Sequence, residues 1–274
     1  MPRRETKPAA EDSRNHMLQT VIEQITLFLT GFIANILASL SGGGAGFVQL
    51  PVLIFLGLGF TEALGTHKVA VVALGLGSYA RNHELKSINR TIAAEMIFIG
   101  CPAVALGSCL VTLVADWIAE LILGIITIAS VIYSIRRKNF GLENHEAELT
   151  RRDYALGGIL VALTGMLSGS FSSGAGLIGI MVLVMWFKQD IKKAIHHSMI
   201  FIALLWNFIG AFTLGTVAVI HWVWVPMLTL GAFLGGFAGT MIIKKVNAAL
   251  IKKLFQSIMI LSGVLLLWKS WEHF

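Results

Sequence analysis

Two clusters of small residues are the part of this chain best suited to binding chemistry. The first is Ser39-Leu40-Ser41-Gly42-Gly43-Gly44-Ala45-Gly46. The second is Ser168-Gly169-Ser170-Phe171-Ser172-Ser173-Gly174-Ala175-Gly176. Each glycine costs roughly 1 kcal/mol relative to alanine in a helix interior, so a helix entering either cluster is expected to break there. A break in apolar surroundings frees backbone N–H and C=O groups, which must be satisfied by protein or by a polar cavity. The N–H groups that open the next half-helix carry about half a positive charge and favour an anion. Serine hydroxyls donate to the same oxygens, and neither cluster contains Asp or Glu. The residues expected to bind are therefore Ser41, Gly42, Gly43, Gly44, Ala45 and Gly46 from the first cluster. From the second they are Ser172, Ser173, Gly174, Ala175 and Gly176. The competing reading is close helix packing through small residues.

A second group follows each cluster at a similar spacing: Ala63-Leu64-Gly65-Thr66-His67-Lys68, then Ala194-Ile195-His196-His197-Ser198. Ionisable groups inside a membrane are costly and usually face a cavity. Lys68 or His67 would balance an anion, with His197 and Ser198 as their counterparts, while snorkelling at the interface is the alternative. Asn35, Gln49, Thr66 and Asn207 are uncharged polar groups in apolar context and form a secondary set, for which interhelical hydrogen bonding competes with the cavity. Glu95 and Glu120 lie near helix ends, so no mid-membrane carboxylate relay is expected, and coupling to protons or sodium is left open. There is no CxxC, HExxH or Walker-type motif, hence no expected cofactor, metal or catalytic residue. Cys101 and Cys109, eight apart on one helix, are too distant for a disulfide.

The elements that must position these groups are membrane helices. Of the 274 residues, 56% are hydrophobic and only 13% charged, and the charges are clustered. Apolar windows of 18 or more residues result, the mark of a polytopic all-α membrane protein. Residues 1–17 are expected as a disordered tail without a removed signal peptide, 18–135 as a first transmembrane repeat, 136–153 as a cytoplasmic linker and 154–274 as a second repeat. Each repeat holds one broken or re-entrant helix pair and three further transmembrane segments.

The net charge of +6 reads through loop placement rather than as a nucleic-acid footprint. Fifteen of the 21 lysines and arginines fall in four loops, around Arg81–Arg90, 136–153, 188–193 and 244–253. The alternate turns, Gly57–Glu62, Ala115–Asp116 and Ile220–His221, have none. With the basic loops in the cytoplasm each half makes an odd number of crossings, so the halves are inverted relative to each other, a transporter arrangement. Trp117, Trp222, Trp224, Trp268 and Trp271 suit an interfacial belt.

Three features resemble the TauE/SafE family, also called the sulfite exporter or toluene-sulfonate-uptake-permease family. They are the run Gly42-Gly43-Gly44-Ala45-Gly46 to Pro51-Val52-Leu53, the segment Ala63-Leu64-Gly65-Thr66, and the repeat Ser173-Gly174-Ala175-Gly176 to Ala194–Ser198. The resemblance implies a transporter of small organic or inorganic anions, frequently sulfites or sulfonates. The chain differs from the family pattern at His67, at His196-His197, and in having no second-half match for Pro51. The resulting expectation is a secondary transporter in the cytoplasmic membrane, with a small anion and the lipid bilayer as partners. An anion channel of the same fold is the alternative, and a membrane metal handler or enzyme built on histidines a more distant one. Oligomeric state is not encoded in any motif. Loop charge also places the C-terminus outside: a reporter fused after Phe274 is expected to be active only on the non-cytoplasmic side, which paired alkaline-phosphatase and fluorescent-protein fusions measure.

Overall fold

A computed structural model of the chain describes residues 7–41, 43–81, 89–136, 149–189, 191–242 and 248–272, and among these every regular element is helical. There are ten helices among the described residues. The first half has α1 (Lys7–Ser41), α2 (Gly46–Phe55), α3 (Phe60–Arg81), α4 (Arg90–Val111) and α5 (Asp116–Arg136). The second has α6 (Arg151–Phe171), α7 (Ala175–Trp186), α8 (residues 191–217), α9 (Val225–Ile242) and α10 (Ala248–Trp271). Six of them, α1, α4, α5, α6, α8 and α9, contain stretches long and apolar enough to cross a membrane. α2 is about 15 Å long and α7 about 18 Å at 1.5 Å per residue, both short of a ~30 Å hydrocarbon core. α3 is long enough but carries Glu62, His67, Lys68 and Arg81. It stays viable because most of its length, His67 and Lys68 included, is buried in protein.

Two boundaries differ from expectation. Residues 7–17, expected within a disordered tail, are the first turns of α1. The run Lys7-Pro8-Ala9-Ala10 suits this: proline is tolerated in a first turn, and alanine favours helix. Residues 1–6 lie outside the described set. The linker is also shorter than 136–153. Arg136 closes α5, and α6 opens at Arg151 behind a capping box in which Thr150 N donates to Asp153 Oδ2 (2.8 Å) and Asp153 N to Thr150 Oγ1 (3.3 Å). Residues 137–148 lie outside the described set.

Glycines let the helices approach until backbones touch. α9 sits between α1 and α3. A Cβ on Gly31 would lie 2.7 Å from Leu228 O, one on Gly231 would strike Phe28 O, and one on Gly236 would lie 2.6 Å from Leu74 O. α4 packs on α6 in the same manner: Gly107 faces Met166 O, and Gly169 faces Val104 O. These pairings have a pattern. Exchanging α1–α5 with α6–α10 turns the α1–α9 packing into α6–α4 and the α3–α9 packing into α8–α4, and both mates are present. The α3–α8 and α5–α10 pairs map onto themselves. Large apolar residues such as Val21, Ile25, Leu163, Phe212 and Leu261 remain exposed on the outer faces, as a lipid-facing surface requires.

Adding volume at a backbone crossing forces helices apart, at a typical cost of about 1–3 kcal/mol. Gly231→Val is therefore expected to lower the melting temperature of the purified protein in detergent. Leu163→Val, on the exposed face, leaves it unchanged.

Candidate functional site

α1 ends where the glycines begin. Gly43 N donates to Ala38 O (2.8 Å) and the chain then turns through Gly43 (φ +147°) and Gly44 (φ +102°), a region that favours glycine. α6 ends similarly. Ser172 N donates to Ser168 O (3.0 Å), and the chain turns through Ser172 (φ +58°) and Gly174 (φ +79°). A positive φ is uncommon for a residue with a Cβ, and strain of this kind tends to collect at working sites.

The two breaks lie against each other. A Cβ on Gly43 would sit 2.6 Å from Gly176 Cα, and one on Gly46 would sit 2.6 Å from Ser173 Oγ. With Gly44-Ala45-Gly46 aligned on Gly174-Ala175-Gly176, Gly43 corresponds to Ser173 and Gly46 to Gly176, so each contact is the other's mate. The N–H groups of Gly44, Ala45 and Gly46, and of Gly174, Ala175 and Gly176, meet no hydrogen-bond acceptor among the described residues.

Beside this crossing is an open hollow, about 330 Å³ of space not filled by atoms when the solvent at its mouth is included. Gly43, Gly44, Ala45 and Gly46 form one side, with Ser172 and Gly176 from the second break. His67, Ser168, Ser198 and Asn207 add polar groups. An apolar wall of Val71, Leu74, Met199, Ile202 and Ala203 closes the rest. Along the polar side runs a hydrogen-bonded chain: Gln49 Oε1 to His67 Nδ1 (2.9 Å), His67 Nε2 to Ser172 Oγ (3.1 Å), and Ser172 Oγ to Asn207 Oδ1 (3.3 Å). Asn207 Nδ2 donates to Ile202 O (2.8 Å) and Ala203 O (3.3 Å), both carbonyls of the π-helical stretch Met199–Trp206 of α8. π-Helical turns inside α-helices recur at functional sites.

The remaining expected residues are placed elsewhere. Lys68 is wholly buried behind the wall, and its ammonium donates to Ser168 O (2.6 Å) while its stem packs on Gly210. No carboxylate pairs with it among the described residues. His197 is buried but faces Gln189, Nδ1 to Oε1 at 2.7 Å, and does not reach the hollow. Thr66 Oγ1 accepts from His221 N (2.9 Å) at the α8–α9 connection, and Asn35 Nδ2 donates to Gly31 O (2.6 Å) within α1. Ser173 lies beneath Gly46, and Gly174, which forms part of the second turn, and Ala175 do not line the hollow. Ser41 closes α1, and Gly42 lies outside the described residues. Trp224 is buried against His221 rather than in a belt, whereas Trp222, Trp268 and Trp271 are exposed. Ser168 and the apolar wall were not in the expected set. Helical spacing carries that signal: 67, 71 and 74 share one face of α3, and 199, 203 and 207 recur four apart on α8.

A polytopic helical membrane protein with apposed helix breaks over a polar hollow belongs to the transporter class. Residues 27–266 match the family model described as sulfite exporter TauE/SafE, and the chain belongs to that family. It is 27% identical over 246 residues to a probable membrane transporter protein of Sinorhizobium sp, covering 88% of this chain and 91% of that one. It is 30% identical over 223 residues to one of Methanocaldococcus jannaschii (75% and 80% covered). It is 26% identical over 247 residues to the probable membrane transporter protein YfcA of Escherichia coli strain K12 (87% and 86% covered). No solved structure matches the chain.

Replacing a buried charge that lacks a counter-ion by an apolar group of similar length is neutral or stabilising. Lys68→Met is therefore expected to hold or raise the melting temperature. A loss on the order of 3 kcal/mol, typical of breaking a buried ion pair, would make Lys68 a structural strut instead.

Proposed function

We propose that this transporter is a secondary carrier for a small organic or inorganic anion of the sulfonate or sulfite type. The anion occupies the hollow beside the crossed breaks. Unpaired N–H groups of Gly44, Ala45 and Gly46 and the hydroxyls of Ser168 and Ser172 meet its oxygens, and His67 and Asn207 flank it. Lys68, one residue from His67 and bonded to Ser168 O, supplies positive charge from behind the wall. The apolar wall of α3 and α8 accommodates a carbon portion where one exists. The exchange relation among the helix pairings supports a reading in which the halves are inverted repeats that rock against one another. The alternation of basic loops supports a reading in which those loops face the cytoplasm and the protein sits in the cytoplasmic membrane.

One observation carries the reading. Both breaks, from opposite halves, line one polar hollow that contains no acidic side chain. A thermal-shift screen with sulfite, sulfoacetate and taurine against carboxylate controls is expected to show stabilisation by the anion that binds, through mass action. In liposomes Gly44→Leu and Gly174→Leu, which place side chains at positive-φ turns, are expected to abolish flux of that anion. Ser172→Ala, a milder change, is expected to reduce it. Full flux in all three would remove the hollow from the path. Saturable exchange with counterflow marks a carrier, and single-channel currents would mark a channel.

A further inference from the structure

The polarity of the hydrogen-bonded chain under the hollow constrains the charge on His67. Asn207 cannot turn over, because its amide nitrogen serves two backbone carbonyls, Ile202 O and Ala203 O. Its Oδ1 therefore faces Ser172 and accepts that hydroxyl's single proton. With its proton committed, Ser172 Oγ accepts from His67, so Nε2 carries a hydrogen. At the other edge of the ring Nδ1 meets Gln49 Oε1, an acceptor, at 2.9 Å. Two arrangements satisfy this contact. Either His67 is an imidazolium that donates at both nitrogens, or it is neutral and the Gln49 amide is reversed so that its NH2 donates to Nδ1. Reversal breaks no other bond, because Gln49 Nε2 is buried without a partner. The two amide ends are nearly identical in shape.

We infer that His67 is the proton-binding site of the carrier, that it takes up one proton as the anion enters, and that Gln49 turns over to match its charge. This rests on the anion reading above. The surroundings favour linkage over permanent charge. From α2 His67 faces Gln49, from the second break Ser172, and from α6 and α8 Ser168, Ser198 and Asn207 line the same hollow, none of them ionisable. The nearest charge is Lys68, next along α3. No carboxylate lines the hollow. An imidazolium beside an ammonium is repelled until a negative guest offsets both, so proton and anion each help the other bind, reciprocally.

The test uses the full chain in nanodiscs, labelled with 15N-histidine, with His67 assigned by its loss in His67→Gln. The probes are methanesulfonate, 2-hydroxyethanesulfonate and sulfate, whose own charge stays constant between pH 5 and 8. Thermal shift measures their binding independently. The expected result is that a stabilising probe converts His67 at pH 7.5 from one N–H to two. Its affinity falls about tenfold per pH unit on the alkaline side, the slope of one linked proton. In Gln49→Met, which can donate and accept nothing at Nδ1, the slope flattens. A probe that binds while His67 keeps one N–H at every pH overturns this inference and leaves the anion reading standing. Failure of every probe to stabilise the protein from pH 5 to 8 overturns both.

Discussion

Backbone groups released inside lipid cost several kcal/mol each unless something answers them, and the arrangement of this molecule follows from that constraint. The first helix of each half stops at its cluster of small residues, and each places its turn against the other's. The contact is possible only because the facing atoms are minimal: Gly43 over Gly176, Gly46 over Ser173. A methyl group at Gly43 or Gly46 would hold the turns apart. The α1–α9 and α4–α6 packings, built on glycines that admit carbonyl oxygens, bring the two turns close enough to meet. The same constraint explains α3, whose polar residues are tolerable only because protein surrounds them.

Contacts across the halves fall into two kinds. Glycine-lined crossings such as α1–α9 involve long stretches of interlocked backbone. Beside the hollow, by contrast, α3 meets the end of α6 through two single hydrogen bonds, His67 to Ser172 and Lys68 to Ser168. A hydrogen bond contributes about 1 kcal/mol net in exchange with alternatives. On the proposal above, an anion in the hollow could take over the bond from His67, whereas the bond from Lys68 lies behind the wall and stays.

Much of this was legible in the amino-acid order. Glycine and serine clusters mark where a helix cannot continue, and the observed turns at Gly43–Gly44 and Ser172–Gly174 lie within them. Apolar windows marked the long helices, although α3 needs its burial to be understood. The residues that failed to reach the hollow show what one-dimensional spacing lacks. His67 and His197 hold equivalent places in the order, yet one meets Ser172 and the other Gln189. The choice depends on rotation about the helix axis, which neighbours set. Thr66 and Lys68 flank His67 in sequence but lie some 100° away around the helix, so they serve the α8–α9 connection and α6 instead. The early start of α1 was legible too, in a proline followed by alanines, but mixed charge masked it.

The hydrogen-bonded chain has no twin. Shifted by the offset that aligns Gly44 with Gly174, Gln49 falls on Gly179, Gly42 on Ser172 and Gly77 on Asn207. Three of its four members thus have glycine as counterpart. A machine made of two equal halves would rest with no preference between its two openings. Here the proposed rocking motion runs between one conformation with the polar chain made and another in which glycines offer no replacement. On that proposal the resting population is skewed toward the conformation described, and the bound anion would supply the oxygen atoms that redress the imbalance.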